Sequence, residues 1–263
     1  MREQEEQGAL SSAQGDAMIH QDWQVVLPHV CPRWNLEACL ASMGEVPVPL
    51  LIVDNSKESD TVLMPLPAGA DVAFYPDNLG VAASWNLGLQ RGARWTLLLS
   101  ASIRFGPGGL TKMLEGITPL VGEYGLELGS WDRRADGDWN VGWKCITIGR
   151  PLVDRIGYFD ENLYPAYNED RDYGHRARLA FGAIPWLKGG VEEAGVTKIG
   201  DAIAWKHGAM GVKPPTEWGW EYYCEKWGVV DGVETFLTPF NNPTHGLDFW
   251  PDPCERIRRW RER

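Results

Sequence analysis

The chain has 263 residues, a formal net charge of −11 and a hydrophobic fraction of 44%, the balance of a globular protein with room for one large domain or two small ones. The acid excess argues against broad, sequence-independent nucleic-acid binding, which rests on lysine and arginine neutralising phosphates, and no apolar run approaches the roughly 20 residues that cross a bilayer. Five cysteines without a CxxC pair indicate neither a zinc site nor a disulfide scaffold, and they fit a reducing, cytoplasmic compartment.

Residues 1–21 are polar and acidic, lack the apolar stretch of a signal peptide, and read as a flexible leader. WQVVLP, from Trp23 to Pro28, reads as a buried strand. RWNLEACLASM follows, with Leu36, Cys39, Leu40 and Met43 at helical spacing. PLLIVDNS is a second buried strand ending in Asp54 and Asn55, and DVAFYPDN a third that runs out into Asp77 and Asn78. GVAASWNLGLQRGA reads as a helix although it contains Asn86 and Gly88. Glycine inside a helix costs roughly 1 kcal/mol relative to alanine, and asparagine there competes with the backbone for hydrogen bonds. Something other than helix stability selected both. RWTLLLS is a fourth strand, ending at Ser100. Strand–helix alternation predicts a parallel sheet with helices on its faces. Ligands bind such sheets at the carboxyl ends of the strands, which makes Asp54, Asn55, Asp77, Asn78 and the Ser100 region site candidates by topology.

The second half is less regular. WNVGWKCITIGRPLVDRIGYFDENLYPAYNEDRDYGHRARLAFG reads as strand, short helix, turn, and a helix from near Asp170. Its NEDRD segment gathers Glu169, Asp170 and Asp172 at a helix start, where the helix dipole by itself favours acids. A chemical role is the alternative: repulsion within such a cluster raises at least one pKa, which suits a general base. Beyond Pro214 the chain turns aromatic and turn-rich, and residues 214–263 read as a lid or acceptor-binding extension packed on a domain of residues 22–213. Trp218, Trp220, Tyr222, Tyr223, Trp227, Phe236, Phe240 and Trp250 are expected to supply core and also a stacking surface for sugars or nucleobases. The final CERIRRWRER reads either as a solvated helix or as a contact to a phosphate-bearing or membrane-surface partner.

Taken in order, VVLPHVCPRWNLEACLASM, PLLIVDNSKESD, DNLGVAASWNLGL, GYFDENLYPAYNEDRDYGHRARLAFG and WKHGAMG resemble the successive landmarks of the family-two glycosyltransferases with the GT-A fold, the rhamnosyltransferase-like branch above all. The resemblance covers about Gln24 to Gly211, and YYCEKWGVVDGVETFLTPFN is similar to a KWGG-like stretch of some relatives. It implies an α/β fold, GT-A, with a mostly parallel central sheet flanked by helices and an aromatic-rich C-terminal extension. It also implies an inverting hexosyl or deoxyhexosyl transfer from a nucleotide-diphosphate sugar to an acceptor hydroxyl. By resemblance, Pro28, Asp54, Asn55, Asp77, Asn78, Gly80, Asn86, Ser100 and Ser102 line the donor cleft. Asp54 would hold the base or ribose, the alternative being an Asx-turn at a strand end. Asn78 and Gly80 would shape the donor loop, glycine permitting close backbone approach, and the helix starting there would offer free N–H groups to an anion. Asn86 would point its amide at the donor, the alternative being a buried asparagine satisfied by backbone. Asp170 would be the catalytic base, Glu169 and Asp172 would orient the acceptor, and Arg171 and Arg176 would brace the cluster.

The chain departs from the family pattern after the fourth strand. Relatives carry two aspartates separated by one residue there, binding a divalent cation, manganese or magnesium, on the donor diphosphate. This chain has Ser100, Ala101 and Ser102, and hydroxyls are poor substitutes for carboxylates around such ions. His207, in WKHGAMG, matches a position that often completes the metal site. It would bind a metal with Asp77 or touch the diphosphate, a structural histidine being the alternative. Lys206, Arg104 and His207 are candidates for stabilising leaving-group charge without a metal. The departure also admits a second class: a glycosyltransferase-like protein that binds nucleotide sugar or glycan without catalysis, against which the intact NEDRD counts. Nucleotidyl transfer lacks its expected glycine-rich basic loop after the first strand. The acceptor stays open among a glycan, a protein and a modified base in DNA. The resemblance extends to compact transferases of bacteriophages.

Overall fold

The computed structural model describes residues 22–30, 32–124, 128–130, 144–182, 197–198 and 216–252. Among the described residues six strands form the main sheet: β1 (Trp23–His29), β2 (Leu50–Asp54), β3 (Asp71–Phe74), β4 (Trp95–Leu99), β6 (Leu128–Ser130) and β7 (Cys145–Gly149). A small second sheet pairs β5 (Ile103–Arg104) with β8 (Thr197–Lys198). The helices are α1 (Arg33–Met43), α2 (Val81–Leu89), α3 (Gly109–Tyr124), α4 (Arg150–Ile156), α5 (Glu169–Phe181) and α6 (Thr216–Trp227). The main sheet runs β3-β2-β1-β4-β7-β6. The first four strands are mutually parallel, and β7 is antiparallel to both β4 and β6.

Continuous apolar runs specify the three central strands, since a strand covered on both faces needs no polar alternation. Alternate residues then divide between two cores. Val25, Leu27, Leu50, Ile52, Leu97 and Leu99 face α1 and α3, whose Leu36, Cys39, Leu40, Met43, Leu110, Met113 and Leu114 complete an apolar layer. Val26, Leu51, Val53 and Leu98 face the other way, onto α2, α4 and α5. Gly88 belongs to this second packing: a Cβ there would lie 2.0 Å from Val26 Cγ2. The glycine lets α2 lie flat on β1, and Gln24 reaches across to donate to its carbonyl at 2.8 Å. Contact with the sheet outweighs the propensity cost.

The register sets the functional edge. His29 stands opposite Asp54, and Asp54 opposite Phe74. The chain leaves β1 toward β2 on one side and returns to β4 on the other, so the carboxyl ends of β1 and β4 flank a topological switch point, where open α/β sheets bind ligands.

Two expectations need revision. β3 is an edge strand with Val72 and Phe74 exposed, where its apolar text suggested a covered one. The aromatic stretch after Pro214 includes one helix, α6, which buries Tyr222, Tyr223 and Trp227 against Leu163; Phe236, Phe240 and Trp250 lie beyond it in the turn-rich remainder. Those three rings are core and not an open platform, because α6 packs its ring-bearing face onto the rest of the domain. The side chain of Trp218, the leader and the arginine-rich end lie outside what is described.

Candidate active site at the carboxyl edge of the sheet

The loop after β2 is built around Asp54, which has no exposed surface. Its Oδ1 accepts from the Ser56 backbone N–H at 3.1 Å and from the Ser56 hydroxyl, and its Oδ2 accepts from Ser59 Oγ at 3.0 Å, Thr61 N at 3.1 Å and Thr61 Oγ1 at 2.9 Å. A carboxylate offers about four acceptor sites, and these donors fill them. Burial alone would raise this carboxyl, but the donors from Ser56 and Thr61 hold it below its usual range. Asp54 thus forms the Asx-turn that was the alternative for it, closing the loop from beneath. Asn55 ties the same loop to the next: its amide donates to Ser84 Oγ at 3.0 Å and its oxygen accepts from Leu79 N at 2.9 Å.

Asn78 takes a left-handed conformation, φ 51°, with its side-chain oxygen accepting from Gly80 N at 3.0 Å. Gly80 has φ 84°, and a Cβ there would lie 2.8 Å from Tyr164 and 3.0 Å from the Pro165 carbonyl. Its close approach is therefore to another part of the chain, the strap Tyr164–Pro165. The Val81 N–H donates to Pro165 O at 2.9 Å, and Tyr164 OH donates to Asn78 O at 3.0 Å. The first N–H of α2, expected to be free for an anion, is therefore occupied by the strap.

Asn86 is bonded within the chain. Its amide nitrogen donates to Phe159 O and to Glu161 Oε1, each at 2.9 Å, and its oxygen accepts from Phe159 N at 2.9 Å. The amide clamps the loop before the strap onto α2. Pro28 is half-buried in β1 and Asp77 is exposed on the turn after β3. At the end of β4, Ser100 Oγ and Ser102 Oγ lie 2.9 Å apart in a hydrogen bond. Arg104 donates to Ala101 O, Ile103 O and Asn35 Oδ1 at 2.9, 2.7 and 2.6 Å.

The strap leads directly into α5, so the acidic helix start stands beside the Asn78–Gly80 loop. Tyr167 and Asn168 reach it through left-handed conformations, φ 82° and 67°. The three acids then separate. Glu169 is buried and Asp170 half-exposed, its Oδ1 accepting from Arg171 N at 2.7 Å. Asp172 is sealed inside. It accepts from Arg176 Nε, Lys226 Nζ and Trp227 Nε1, all at 2.8 Å. Lys226 also donates to Asp160 Oδ2 at 2.8 Å, to which Tyr222 OH donates at 2.7 Å. Arg176 completes its fork on the carbonyls of Ile156 and Tyr158. Two carboxylates and two cations close a neutral, fully buried set. Burial would raise the Asp172 carboxyl, but Arg176 and Lys226 outweigh it and hold it down at about 2. The Asp172 carboxylate is thus committed to partners within the chain. Burial and neighbouring Glu169 push the Tyr167 hydroxyl up.

The sequence reading missed His29, Asp160, Glu161, Tyr164 and Lys226. His29 is buried at the end of β1 and pairs with Asp60 at 2.8 Å across the loop after β2; only its place after Pro28 at a strand end marked it. No sequence signal pairs Lys226 with α5.

At the level of sequence, no protein-family model and no curated protein matches the chain. Solved structures do match. S. aureus TarS 1-349 superposes with a TM-score of 0.52 at 14% identity, over 67% of this chain and 60% of that one. S. aureus TarS gives 0.53 at 15% identity, over 67% and 36%. GalNAc-T7, solved with UDP, GalNAc and Mn2+, gives 0.58 at 11% identity, over 79% and 48%. The fold is GT-A. The matched part spans less than two thirds of each of these neighbours.

At the end of β4, where the sequence resemblance implies a cation, this chain places the Ser100–Ser102 hydroxyl pair. Among the described residues no three His, Cys, Asp or Glu side chains converge as a metal site, and His207 and Lys206 lie outside them. The described side chains do not fit the divalent cation of the family pattern. No helix among the described residues is long and apolar enough to cross a membrane.

Proposed function

We propose that this chain is a glycosyltransferase that moves a sugar from a nucleotide-diphosphate donor to an acceptor hydroxyl with inversion, and that Asp170 is its base. One observation carries the reading. On a GT-A sheet, the strap Tyr164–Pro165 joins the Asn78–Gly80 loop to the start of α5. That junction sets a half-exposed carboxylate beside the edge where donors bind. In the reaction, the acceptor O–H gives its proton to the Asp170 carboxylate as the oxygen attacks the anomeric carbon. The anomeric C–O bond to the diphosphate breaks, and the nucleoside diphosphate leaves with that electron pair. A positioned carboxylate supplies about 10²–10⁴ in rate in such a step.

Pro28, Asp77, Asn78, Gly80, Ser100 and Ser102 form the proposed donor edge, with Asp54, Asn55 and Asn86 holding its loops from beneath. Glu169 stands beside the base. Residues 22–213 are the proposed catalytic unit and 214–263 an extension that closes the acceptor side. The order of the sequence landmarks supports a place near the family-two, rhamnosyltransferase-like branch, including its bacteriophage members. GalNAc-T7, with its UDP and GalNAc, supports a nucleotide sugar as donor here. The acceptor is a hydroxyl on a glycan, a protein or a modified DNA base.

The test is a panel of UDP-, GDP- and TDP-sugars with manganese or EDTA, read as release of nucleotide and as thermal shift, since a ligand of the folded state raises apparent stability. Transfer by the wild type that collapses in Asp170→Asn, with nucleotide stabilisation retained and an inverted anomeric signal in the product, supports the reading. Near-normal transfer by Asp170→Asn sinks the base. Stabilisation by nucleotide with no transfer to any acceptor class favours a binding protein, the reading that the serine pair at the end of β4 leaves open.

A further inference from the structure

Arg171 follows Asp170 directly and belongs to the same first turn of α5. Side chains at i and i+1 diverge on a helix, and the Arg171 guanidinium runs outward to α6. It lies over the Trp220 ring at 4.9 Å and the Tyr223 ring at 5.5 Å, two rings stacked at 5.7 Å. Its Nε stands 3.6 Å from Glu234 Oε1. Glu234 follows the Asp231–Gly232 turn beyond α6, more than sixty residues from the acidic motif. Tyr223 OH donates to the same Oε1, and His175 Nδ1 faces Oε2 at 4.0 Å.

We propose that Glu234 is a positioning residue for the candidate base: it holds and neutralises the Arg171 cation on the Trp220–Tyr223 face, so that this neighbouring charge does not weaken Asp170 as a proton acceptor. The inference rests on the reading of Asp170 as base. A neighbouring cation lowers a carboxylate's proton affinity, less so with distance, and a base that is too weak slows proton abstraction. The charged and titratable groups packed around the pair are His175 and Arg178 from α5 and Tyr223 and Cys224 from α6. Glu169 and the sealed Asp172 share the helix start. Burial would raise Glu234, but Tyr223, His175 and Arg178 hold its carboxyl below the usual range, which keeps it anionic at neutral pH. Burial holds His175 down.

The test is Glu234→Gln, which keeps the Tyr223 hydrogen bond and removes the charge. The acid limb of the pH–rate profile is expected to move to lower pH by roughly half a unit. The plateau rate falls about twofold, and KM for donor and acceptor does not change. The double variant Arg171→Gln/Glu234→Gln returns the limb to its wild-type place. A limb that stays put in Glu234→Gln overturns the proposal. So does a shift that the double variant fails to reverse, since His175 would then carry it. The carboxyl carbon of Asp170, followed by NMR and identified by its loss in Asp170→Asn, reads the same shift without catalysis. If that resonance shifts as expected in a protein without transferase activity, the charge relation stands and the base reading fails. If it does not shift, the proposal fails whatever the rates do.

Discussion

On one face of the sheet the chain buries Leu36, Cys39, Met43, Leu110 and Met113 in an apolar layer. Behind the other face it buries Asp160, Asp172, Arg176 and Lys226, each with no exposed surface. The first layer gains from removing apolar area from water, about 25 cal/mol per Å², and tolerates exchange among side chains of similar volume. The second gains little net stability from its charges, since desolvation offsets their attraction. It is nevertheless unforgiving, because removing one partner strands another. The acidic helix start sits on the unforgiving side. The difference separates a layer that needs only proximity from a frame that fixes direction.

The sharpest break between the two faces is chemical. Asp170→Asn is expected to lower transfer at least about a hundredfold while the unfolding midpoint in urea stays within error, because the carboxylate belongs to neither buried layer. Lys226→Met comes next: it leaves Asp160 and Asp172 uncompensated and is expected to cost about 3–5 kcal/mol in denaturant unfolding. Leu36→Ala, its counterpart on the apolar face, is expected to cost about 3 kcal/mol through the cavity it opens, with kcat unchanged. Equal loss of activity in both would erase the distinction drawn here.

Acid titration separates the faces further. The folded Asp172 carboxyl, at about 2, lies below its ordinary 3.8. Its contribution is therefore complete above the ordinary value and is lost as pH falls through it toward 2. Denaturant unfolding between pH 5 and pH 2.5 is expected to show that loss in the wild type and a flatter profile in Asp172→Asn. The smallest effect belongs to the surface. Arg150 and Asp154 pair at 2.7 Å but are both well exposed, and Arg150→Ala is expected to change stability by no more than about 0.5 kcal/mol.

What the sequence disclosed follows the same division. The VVL, LLIV and TLLL runs announce their strands because a doubly covered strand has one physical signature. The spacing of Leu36, Cys39, Leu40 and Met43 does the same for α1. Asn86 and Gly88 were legible as anomalies but not as answers. The partner of Gly88 is Val26, and that of Asn86 is Phe159, seventy-three positions away. Strand-end polarity misled for a related reason. Asp54 and Asn55 look like ligand-facing groups, yet a loop at a sheet edge has its own orphan donors to satisfy, and theirs go to these side chains. Lys226, in a helix crowded with aromatic rings, carries no local mark that its ammonium ends between two carboxylates.

The boundary near residue 214 acquires a practical meaning from Lys226 and Trp227. Both place a nitrogen on Asp172, inside the half of the chain that precedes them. Cutting the chain there, or exchanging everything beyond it for a foreign acceptor segment, would remove two of the groups that hold the start of α5. A graft that replaces the end of the chain therefore has to begin after Trp227, carrying α6 along as part of the recipient.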